Sequence, residues 1–226
     1  LLVSKQISEE YKNYNLTSLK LITYGTEPMP QTTLNRIVKV FPGVKCTQTY
    51  GLSEVGILRS KSKDSNSLWV KVGGEGYKTR IVDGMLEIKS KSSMLGYLNA
   101  ENPFTRDGWF KTGDSVKVDG EYIKILGRES ELINVGGEKV YPQEVEDVLL
   151  KHSKIKDAIV FSEKNPIIGN IVCAKIVLKN RDDENKNMIK DIKDFCLANI
   201  ARYKVPVKIL ISKDSLYSSR FKKNRI

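Results

Sequence analysis

The chain has 226 residues and a net charge of +11, with 40% hydrophobic and 29% charged residues. This balance suits a soluble globular core, and no apolar run is long enough to span a membrane. The three cysteines, Cys46, Cys173 and Cys196, are odd in number and lack the spacing of a metal site, so we expect reduced thiols in the cytoplasm. The first residues have neither a signal-peptide pattern nor an initiator methionine, which suggests that the chain begins inside a longer protein.

The positive charge is concentrated at the C-terminal end. Residues 202–226 contain eight basic residues and one acid, a net of +7, whereas the rest of the chain has 30 basic and 26 acidic residues, a net of +4. Such a segment can bind nucleic acid, hold nucleotide phosphates or be a solvated end. Its aromatic residues, Tyr203, Tyr217 and Phe221, lack the spacing of a base-stacking platform. Nucleic acid is therefore the weakest of the three alternatives, and we expect no nucleic-acid partner.

The first 56 residues predict a strand–helix–strand unit. An apolar run over 19–24 predicts a buried strand, helical spacing over 32–40 ends at Pro42 and Gly43, and 44–49 predicts the next strand. This order is typical of a parallel sheet, which binds ligands at the carboxyl ends of its strands. The turns at 25–27 and 50–54 follow these two strands, so we expect them to be neighbours.

The rest of the chain predicts two further regions, which gives an α/β fold in three parts. Short strands separated by Gly, Asp and Asn turns over 57–127 predict a small β-rich, barrel-like subdomain. Residues 128–226 predict a small α/β lid domain, with a helix opened by Pro142 and a second helix over 188–201. The boundary between the second and third parts is predicted near Gly127. In the first lid helix we expect acids in the first turn and an apolar stripe facing the core: Glu144, Glu146 and Asp147 against Val145, Val148 and Leu149.

The segment 127–142 joins the β-rich part to the lid. Its paired glycines, Gly136 and Gly137, allow backbone angles closed to other residues and a close approach by a ligand. Local chemistry supports two interpretations equally, a functional loop at a joint or a plain β-hairpin.

Four stretches, taken in order, resemble the adenylate-forming superfamily, which comprises acyl-CoA synthetases, peptide-synthetase adenylation domains and luciferases. Residues 50–54, Tyr-Gly-Leu-Ser-Glu, resemble its Tyr-Gly-x-Thr/Ser-Glu motif, and 108–114 resemble its Gly-Trp-x-x-Thr-Gly-Asp motif. Residues 127–142 resemble its hinge and following loop, and 203–206, Tyr-Lys-Val-Pro, match an element near its C-terminus. One such match is weak, but four in order are strong. The resemblance implies that 1–127 ends the large N-terminal domain and that 128–226 is the mobile lid.

The resemblance implies a two-step reaction. A carboxylic acid is activated by ATP as an acyl-adenylate, with Mg²⁺ as cofactor and AMP as the eventual product, and the acyl group then passes to a thiol. The thiol belongs to coenzyme A or, alternatively, to the phosphopantetheine of a carrier protein. Positioning and charge stabilisation do most of the work in such phosphate chemistry.

The resemblance assigns the nucleotide-binding residues. Glu54 is expected to coordinate Mg²⁺ as a hard carboxylate ligand and to be catalytic, while Ser53 hydrogen-bonds phosphate. Asp114 is expected to accept the ribose hydroxyls, and Arg128 to contact ribose or phosphate. The same comparison gives the adenine side of the pocket to the two strand-end turns, through Gly25, Thr26, Glu27, Tyr50 and Gly51. Each residue also has a bland interpretation, such as a turn, a helix start, a core aromatic or a surface ion pair.

The lid residues follow from the same resemblance. Gly136 and Gly137 are expected to face the incoming pantetheine thiol, with Lys139 near a phosphate, although a solvated lysine is the simpler interpretation of Lys139. Ser130 stands at the hinge, where the family commonly has Asp or Lys, so its polar contacts must differ.

The C-terminal segment departs from the family's Pro-x-Thr-x-x-Gly-Lys motif. Tyr217 replaces Pro, Ser219 replaces Thr and Lys222 replaces Gly, which leaves Lys223 as the expected catalytic cation. Lys222 is the competing candidate.

The family's Ser/Thr/Gly-rich phosphate loop is not found in residues 1–226. We therefore expect the upstream half of the same enzyme to be a partner of this chain. The competing functions are an adenylation domain that loads a carrier protein and a catalytically silent fragment with a regulatory or assembly role.

Overall fold

The computed structural model describes residues 9–180, 187–217 and 223. The chain divides into two compact units. One is Asn15–Ser130, and the other contains the described residues from Glu131 onward together with 9–14. The division falls just after the predicted boundary at Gly127, next to the predicted hinge residue Ser130. None of the helices in the described ranges combines the length and the apolar character that crossing a membrane would need.

The first unit begins with a parallel pair of strands. Strand β1 (Leu21–Tyr24) leads through helix α1 (Gln31–Val40) to strand β2 (Lys45–Gln48). The two strands pair in parallel and end level with each other, since Tyr24 is opposite Gln48. The predicted parallel unit is therefore confirmed, and Gly25 after β1 lies beside Thr49 after β2. Residues 50–52 of the second predicted turn are instead a strand, and the turn itself begins at Ser53.

The β-rich part of this unit is a seven-stranded antiparallel sheet in the order β3-β4-β5-β9-β8-β7-β6. The sequence patterns identified β5 to β9 in outline but not β3 and β4, because the latter carry few apolar residues in a regular alternation. The strands are β3 (Tyr50–Leu52), β4 (Gly56–Ser62), β5 (Val70–Gly73), β6 (Tyr77–Val82), β7 (Met85–Ser90), β8 (Phe110–Asp119) and β9 (Tyr122–Arg128).

Serine hydroxyls connect the parallel pair to this larger sheet. Backbone N–H groups at alternate residues along β2 and β3 donate to hydroxyls on and after β4, so side chains replace part of a backbone ladder. The connection holds the end of β2 and the start of β3 against the sheet. The three bonds run from Cys46 to Ser65 (3.2 Å), from Gln48 to Ser62 (2.8 Å) and from Tyr50 to Ser60 (3.1 Å).

The second unit is the predicted α/β module. Its five-stranded sheet runs β11-β10-β13-β12, and β14 pairs in parallel with β13. The buried core lies between this sheet and two helices, and it includes the predicted apolar stripe of the first helix. The elements are β10 (Ile133–Val135), β11 (Glu138–Val140), α2 (Pro142–Lys151), β12 (Ile155–Asn165), β13 (Gly169–Leu178), α3 (Met188–Asn199) and β14 (Lys208–Ile211).

One acid of α2 behaves differently from the expectation. Glu146 was expected among the first-turn acids, but only 2% of the residue is exposed. It lies between Val145 and Val148 in a helix packed on the sheet, so its side chain is inside the lid core. By contrast, Glu144 does cap the helix start, since its Oε1 accepts the Tyr141 N–H at 3.2 Å.

Candidate nucleotide site

Asp114 is held in place by the two residues before it. The buried Thr112 hydroxyl donates to the Leu86 carbonyl at 2.7 Å and accepts the Asp114 N–H at 3.0 Å. Gly113 has φ +73°, which is strained for residues with a side chain. The local backbone therefore requires the order Thr-Gly-Asp. It holds the Asp114 carboxylate in a fixed position, and Asp114 is only 6% exposed.

Tyr50 bonds directly to this carboxylate. Its phenol donates to Asp114 Oδ2 at 2.5 Å, although the two residues are 64 positions apart in the chain. Burial raises the pKa of Tyr50, and the negative charge of Asp114 raises it further. Tyr50 is thus a neutral donor at any physiological pH, and it fixes one oxygen of Asp114.

Arg128 pairs with the other oxygen. It lies opposite Asp114 in the β8–β9 register, and its Nε is 3.2 Å from Asp114 Oδ1. The Arg128 side chain remains 53% exposed while that of Asp114 is 8% exposed. The pair therefore joins a buried carboxylate to a guanidinium that is open to solvent, and it can still bind an anion.

Glu54 is beside this cluster, on the turn after β3. Its Oε1 accepts the Tyr97 phenol at 2.7 Å, and its Oε2 accepts the Ser53 hydroxyl at 3.2 Å. The Tyr97 bond lowers the pKa of Glu54 despite an opposing effect of burial, and the charge of Arg128 contributes in the same direction. Glu54 is therefore an ionised, partly exposed carboxylate.

No sequence motif identified Tyr97 as part of this cluster. It lies in a loop near Gly96 where no periodic pattern marks it, and both neighbouring leucines, Leu95 and Leu98, are fully exposed. The Tyr97 hydroxyl donates to Glu54, a residue 43 positions earlier in the chain. Its phenol pKa is raised because it donates to a carboxylate.

The turn after β1 is adjacent to the chain that leads into Tyr50. A Cβ on Gly25 would be 2.4 Å from Thr49 Oγ1 and 2.8 Å from the Thr49 carbonyl, so only glycine fits there. Thr26 has φ +67°, an uncommon angle for a threonine. Gly25, Thr26 and Glu27 thus form a strained strand-end turn beside Thr49. Strain of this kind is frequent at binding sites and also occurs in purely structural turns.

Gly51 also has a structural requirement. A Cβ there would be 2.9 Å from the Gly56 carbonyl oxygen and from Ile57 Cα. The glycine therefore permits the tight β3–β4 hairpin that carries Tyr50 and Ser53.

The paired glycines of the lid form the turn of a hairpin. Val135 pairs with Glu138, and Gly136 and Gly137 have φ +59° and +95°, as expected for a two-residue turn of the primed type. The hairpin interpretation of this segment is confirmed, while the expected role at a thiol stays a prediction. Lys139 is exposed on the second strand.

The Tyr-Lys-Val-Pro element is tied to the start of α2. Lys204 Nζ is 2.7 Å from Glu144 Oε2, so this lysine supports the helix N-terminus within the lid. Ser130 ends the first unit.

The expected adenylation lysine lies in the second unit. Lys223 Nζ is 2.6 Å from Glu146 Oε2, and the two side chains are 7% and 2% exposed. The competing candidate Lys222 and the motif residue Ser219 lie outside the described residues.

The known proteins that this chain resembles identify its family. Residues 144–223 match the family model of the AMP-binding enzyme C-terminal domain. The chain belongs to the adenylate-forming superfamily. It is 32% identical over 188 residues to 2-succinylbenzoate–CoA ligase of Enterococcus faecalis, covering 74% of this chain and 37% of that protein. It is 40% identical over 136 residues to the mitochondrial medium-chain acyl-CoA ligase ACSF2 of Danio rerio, covering 58% of this chain and 22% of that protein.

A solved structure of an adenylate-forming enzyme has the same fold. It is o-succinylbenzoate CoA synthetase of Bacillus subtilis in complex with the acyl-adenylate intermediate, with a TM-score of 0.73 and 25% identity. The match covers 96% of this chain and 47% of that one. The chain therefore spans less than half the length of the relatives that it matches.

The donor set of the first unit fits the ligands of an adenylate-forming site. Among the described residues, no group of three or more His, Cys, Asp or Glu could hold a metal by itself. Glu54 supplies one ionised carboxylate, which suits Mg²⁺ because this ion is commonly bound by one or two carboxylates together with substrate phosphates and water. Asp114 can accept hydroxyls and Arg128 can donate to oxygen anions, which are the acceptor and donor types that a ribose and a phosphate would need.

Proposed function

We propose that the chain is the C-terminal part of an ATP-dependent carboxylate–CoA ligase whose upstream half belongs to the same enzyme. The observation that supports this most is the convergence of three separate motifs. Tyr50, Asp114 and Arg128 are joined by contacts of 2.5 and 3.2 Å around one buried carboxylate. A chain that needed Asp114 only for a turn would not require a buried phenol and an exposed guanidinium on its two oxygens.

In this proposal Asp114 and Arg128 bind the nucleoside part of ATP. A carboxylate has about four lone-pair positions, so Asp114 can accept ribose hydroxyls in addition to Tyr50 and Arg128. Tyr50 fixes the carboxylate so that no rotation is needed when the ribose binds, which lowers the entropic cost of binding. The ring of Tyr50 and the turn at Gly25, Thr26 and Glu27 would form the adenine side.

Glu54 would hold Mg²⁺, which neutralises phosphate charge when it is bound. Tyr97 and Ser53 each donate to one oxygen of Glu54, so both oxygens have a defined direction. A fixed carboxylate of lowered pKa stays ionised and ready for a cation. Ser53 is exposed, and its hydroxyl would turn from Glu54 in order to donate to a phosphate oxygen.

The reaction is a transfer at the α-phosphorus of ATP. A carboxylate oxygen of the substrate forms a bond to this phosphorus, and the bond to the bridging oxygen breaks, so that pyrophosphate leaves with the electron pair. In the second step a thiol sulfur bonds to the acyl carbon, its proton passes to solvent, and AMP leaves with the electron pair of the broken carbon–oxygen bond. The substrate is a small carboxylic acid.

The lid would serve the second step. A hairpin turn of two glycines, Gly136 and Gly137, has no side chain to obstruct a narrow pantetheine passage, and Lys139 next to it offers a cation to phosphate. Ser130, where the two units meet in sequence, would be the pivot. The proposed compartment is the cytoplasm, which the three buried, unpaired cysteines support.

The test is carboxylate-dependent exchange of pyrophosphate into ATP by the full-length polypeptide. Asp114→Asn removes the charge that holds Arg128, and we expect exchange to fall about 10- to 100-fold, as for a lost charged hydrogen bond. Asp119→Asn is the matched control, because Asp119 ends the same strand, is 57% exposed and pairs with Lys63 on the surface. Equal exchange by the two variants would contradict the assigned site.

The acceptor is tested separately. Turnover of free coenzyme A supports the ligase, whereas loading of a carrier protein alone supports the peptide-synthetase-like alternative. If titration calorimetry detects neither ATP nor AMP binding to the full-length polypeptide, the silent regulatory or assembly role is favoured instead.

A further inference from the structure

The guanidinium of Arg80, on β6, contacts both β7 and the turn that leads into β8. Its Nε donates to Glu87 Oε2 on β7 at 2.7 Å, and its Nη1 donates to Asp107 Oδ2 in the turn at 2.8 Å. The guanidinium carbon also lies 4.4 Å from the ring centroid of Trp109. A planar guanidinium can make forked and stacked contacts of this kind at the same time, whereas an ammonium group cannot.

The turn that leads into β8 is also closed by its own hydrogen bonds. Thr105 Oγ1 donates to Asp107 Oδ1 at 2.6 Å and accepts the Trp109 N–H at 2.9 Å. The hydrogen bond from Arg80 lowers the pKa of Asp107 to about 2, and the bond from Thr105 contributes in the same direction. Asp107 is therefore ionised at neutral pH, and Arg80 holds a turn that is already compact.

Glu87 is the buried end of this cluster. Only 7% of its side chain is exposed, compared with 34% for Arg80 and 59% for Asp107. Glu87 is opposite Arg80 in the β6–β7 pairing and opposite Lys111 in the β7–β8 pairing, so it lies on the middle strand of the three. A buried carboxylate is tolerated when it is paired and hydrogen-bonded, and Arg80 supplies that pairing.

Strand β8 has a bulge between this cluster and the candidate nucleotide site. The β7–β8 pairing shifts in register next to Glu87, so that Leu86 alone is opposite residues 112–114. The Thr112 hydroxyl closes the bulge by donating to the Leu86 carbonyl at 2.7 Å. Bulges bend a strand and redirect its side chains, often next to active sites. The last residue of this bulge is Asp114.

We infer that Arg80 is a positioning residue for nucleotide binding, because it ties β7 to the start of β8 next to the bulge that carries Asp114. The inference rests on the proposed function, in which Asp114 accepts the ribose hydroxyls. A binding group of this kind must be held to within about 0.5 Å of its productive position. If the start of β8 could shift along β7, Asp114 would lose that precision, although Arg80 itself does not meet the ligand.

The first test measures the ATP dependence of pyrophosphate exchange by the full-length polypeptide. Arg80→Met is combined with Glu87→Gln, so that the variant loses the cluster without leaving a buried charge. We expect KM for ATP to rise about tenfold, as for a lost hydrogen bond to a charged group, while kcat stays within about twofold, as for a change in binding alone. Partial unfolding would instead lower the apparent kcat and leave KM unchanged.

The matched control is an ion pair on the surface of the same sheet. Lys71 Nζ is 2.7 Å from Glu121 Oε1, with side chains 48% and 75% exposed. Lys71→Met combined with Glu121→Gln removes the same two charge types and should leave both constants within about twofold, as expected for an exposed pair. If the Arg80 variant gave the same KM for ATP as this control, the inference would be overturned.

The second test determines whether Arg80 acts through Asp114. In an Asp114→Asn background, the Arg80→Met, Glu87→Gln change should raise KM for ATP by less than about twofold further, because residues that act through one another are not additive. A second tenfold rise in that background would show that Arg80 acts on another part of the site, and the inference would fail.

The third test needs no nucleotide. In hydrogen exchange of the full-length polypeptide, the peptide 110–119 should exchange about tenfold faster in the Arg80→Met, Glu87→Gln variant than in the Lys71 control, because a local restraint is lost. Equal exchange would overturn the inference. Absence of pyrophosphate exchange in the unaltered polypeptide would count against the proposed function, and the hydrogen-exchange comparison would still decide whether Arg80 fixes the bulge.

Discussion

Each unit of this protein contains a buried carboxylate with a basic partner, and the two pairs differ in the exposure of that partner. Asp114 in the first unit pairs with Arg128, whose side chain is 53% exposed. Glu146 in the second unit pairs with Lys223, whose side chain is 7% exposed. The cation of the first pair is open to solvent, whereas the cation of the second pair is enclosed by the protein.

The difference in exposure is what we expect between a pair that binds a ligand and a pair that stabilises the fold. The open guanidinium of Arg128 keeps N–H donors in contact with solvent, where a ligand can reach them. The closed pair keeps its ammonium inside the protein, since Lys223 Nζ donates to Glu146 and to the Ala158 carbonyl. Four predictions test this comparison.

The largest effect is expected at the closed pair. Glu146→Leu leaves the Lys223 ammonium buried without its counter-charge and the Val160 N–H without its acceptor. We expect the free energy of unfolding of the lid unit to fall by about 3–5 kcal/mol. Chemical denaturation of the chain measures it. A loss below about 1 kcal/mol, the value of a surface pair, would remove the distinction between the two pairs.

The open pair should show the reverse pattern. Arg128→Ala removes a half-exposed cation and leaves the buried Asp114 carboxylate with one charged donor fewer, although Tyr50 still donates to it. The free energy of unfolding should therefore fall by about 1–3 kcal/mol, less than at the closed pair. The affinity of the full-length polypeptide for AMP should fall about 10- to 100-fold, because a charged hydrogen bond is lost. Calorimetry measures the affinity, and Lys117→Ala, at an exposed position of β8, is the control. Unchanged affinity in Arg128→Ala would contradict the nucleotide role.

A smaller effect is expected at Tyr97. Tyr97→Phe keeps the ring but removes the donor to Glu54 Oε1, which frees the carboxylate to rotate. The Mg²⁺ concentration for half-maximal exchange should rise about fivefold, the equivalent of one net hydrogen bond. A titration of exchange rate against Mg²⁺ measures it, with Tyr122→Phe on β9 as control. If the maximal rate alone fell, Tyr97 would not be acting through the cation.

The smallest effect is expected at Asp157, beside the closed pair. Burial raises its pKa, although the charge of Lys223 opposes this change. A raised folded-state pKa means that the favourable contribution of the neutral form is present below the unfolded pKa and is lost as pH rises through the folded value. Asp157→Asn should therefore be more stable than the unaltered chain at neutral pH and no more stable at acidic pH. A stability difference that does not change with pH would contradict this assignment.

Periodicity predicted the elements with strong apolar patterns. The parallel pair β1 and β2, the helices α1, α2 and α3, and the long strands of the lid were all expected near their observed positions. Strands β3 and β4 were not, because β3 has three residues and β4 carries serines such as Ser60 and Ser62, whose hydroxyls accept the N–H groups of Tyr50 and Gln48. These serines interrupt the hydrophobic alternation that marks a strand.

The candidate site was predictable as a set of motifs but not as a geometry. Motif spacing identified Tyr50, Asp114 and Arg128 separately, while the bond between Tyr50 and Asp114 depends on tertiary packing that brings together residues 64 positions apart. Tyr97 had no pattern at all, since its role depends on one hydroxyl that meets Glu54.

The sequence by itself identified the motifs of the candidate site, because the residues that shape one turn, such as Thr112, Gly113 and Asp114, are adjacent in the chain. Only the tertiary structure decided which charged side chains remain exposed to solvent. Glu146 has the same side chain as its neighbour Glu144 and lies two positions away, yet it is in the core. Burial depends on which face of α2 meets the sheet, and this decides that Lys223, the partner of Glu146, is enclosed.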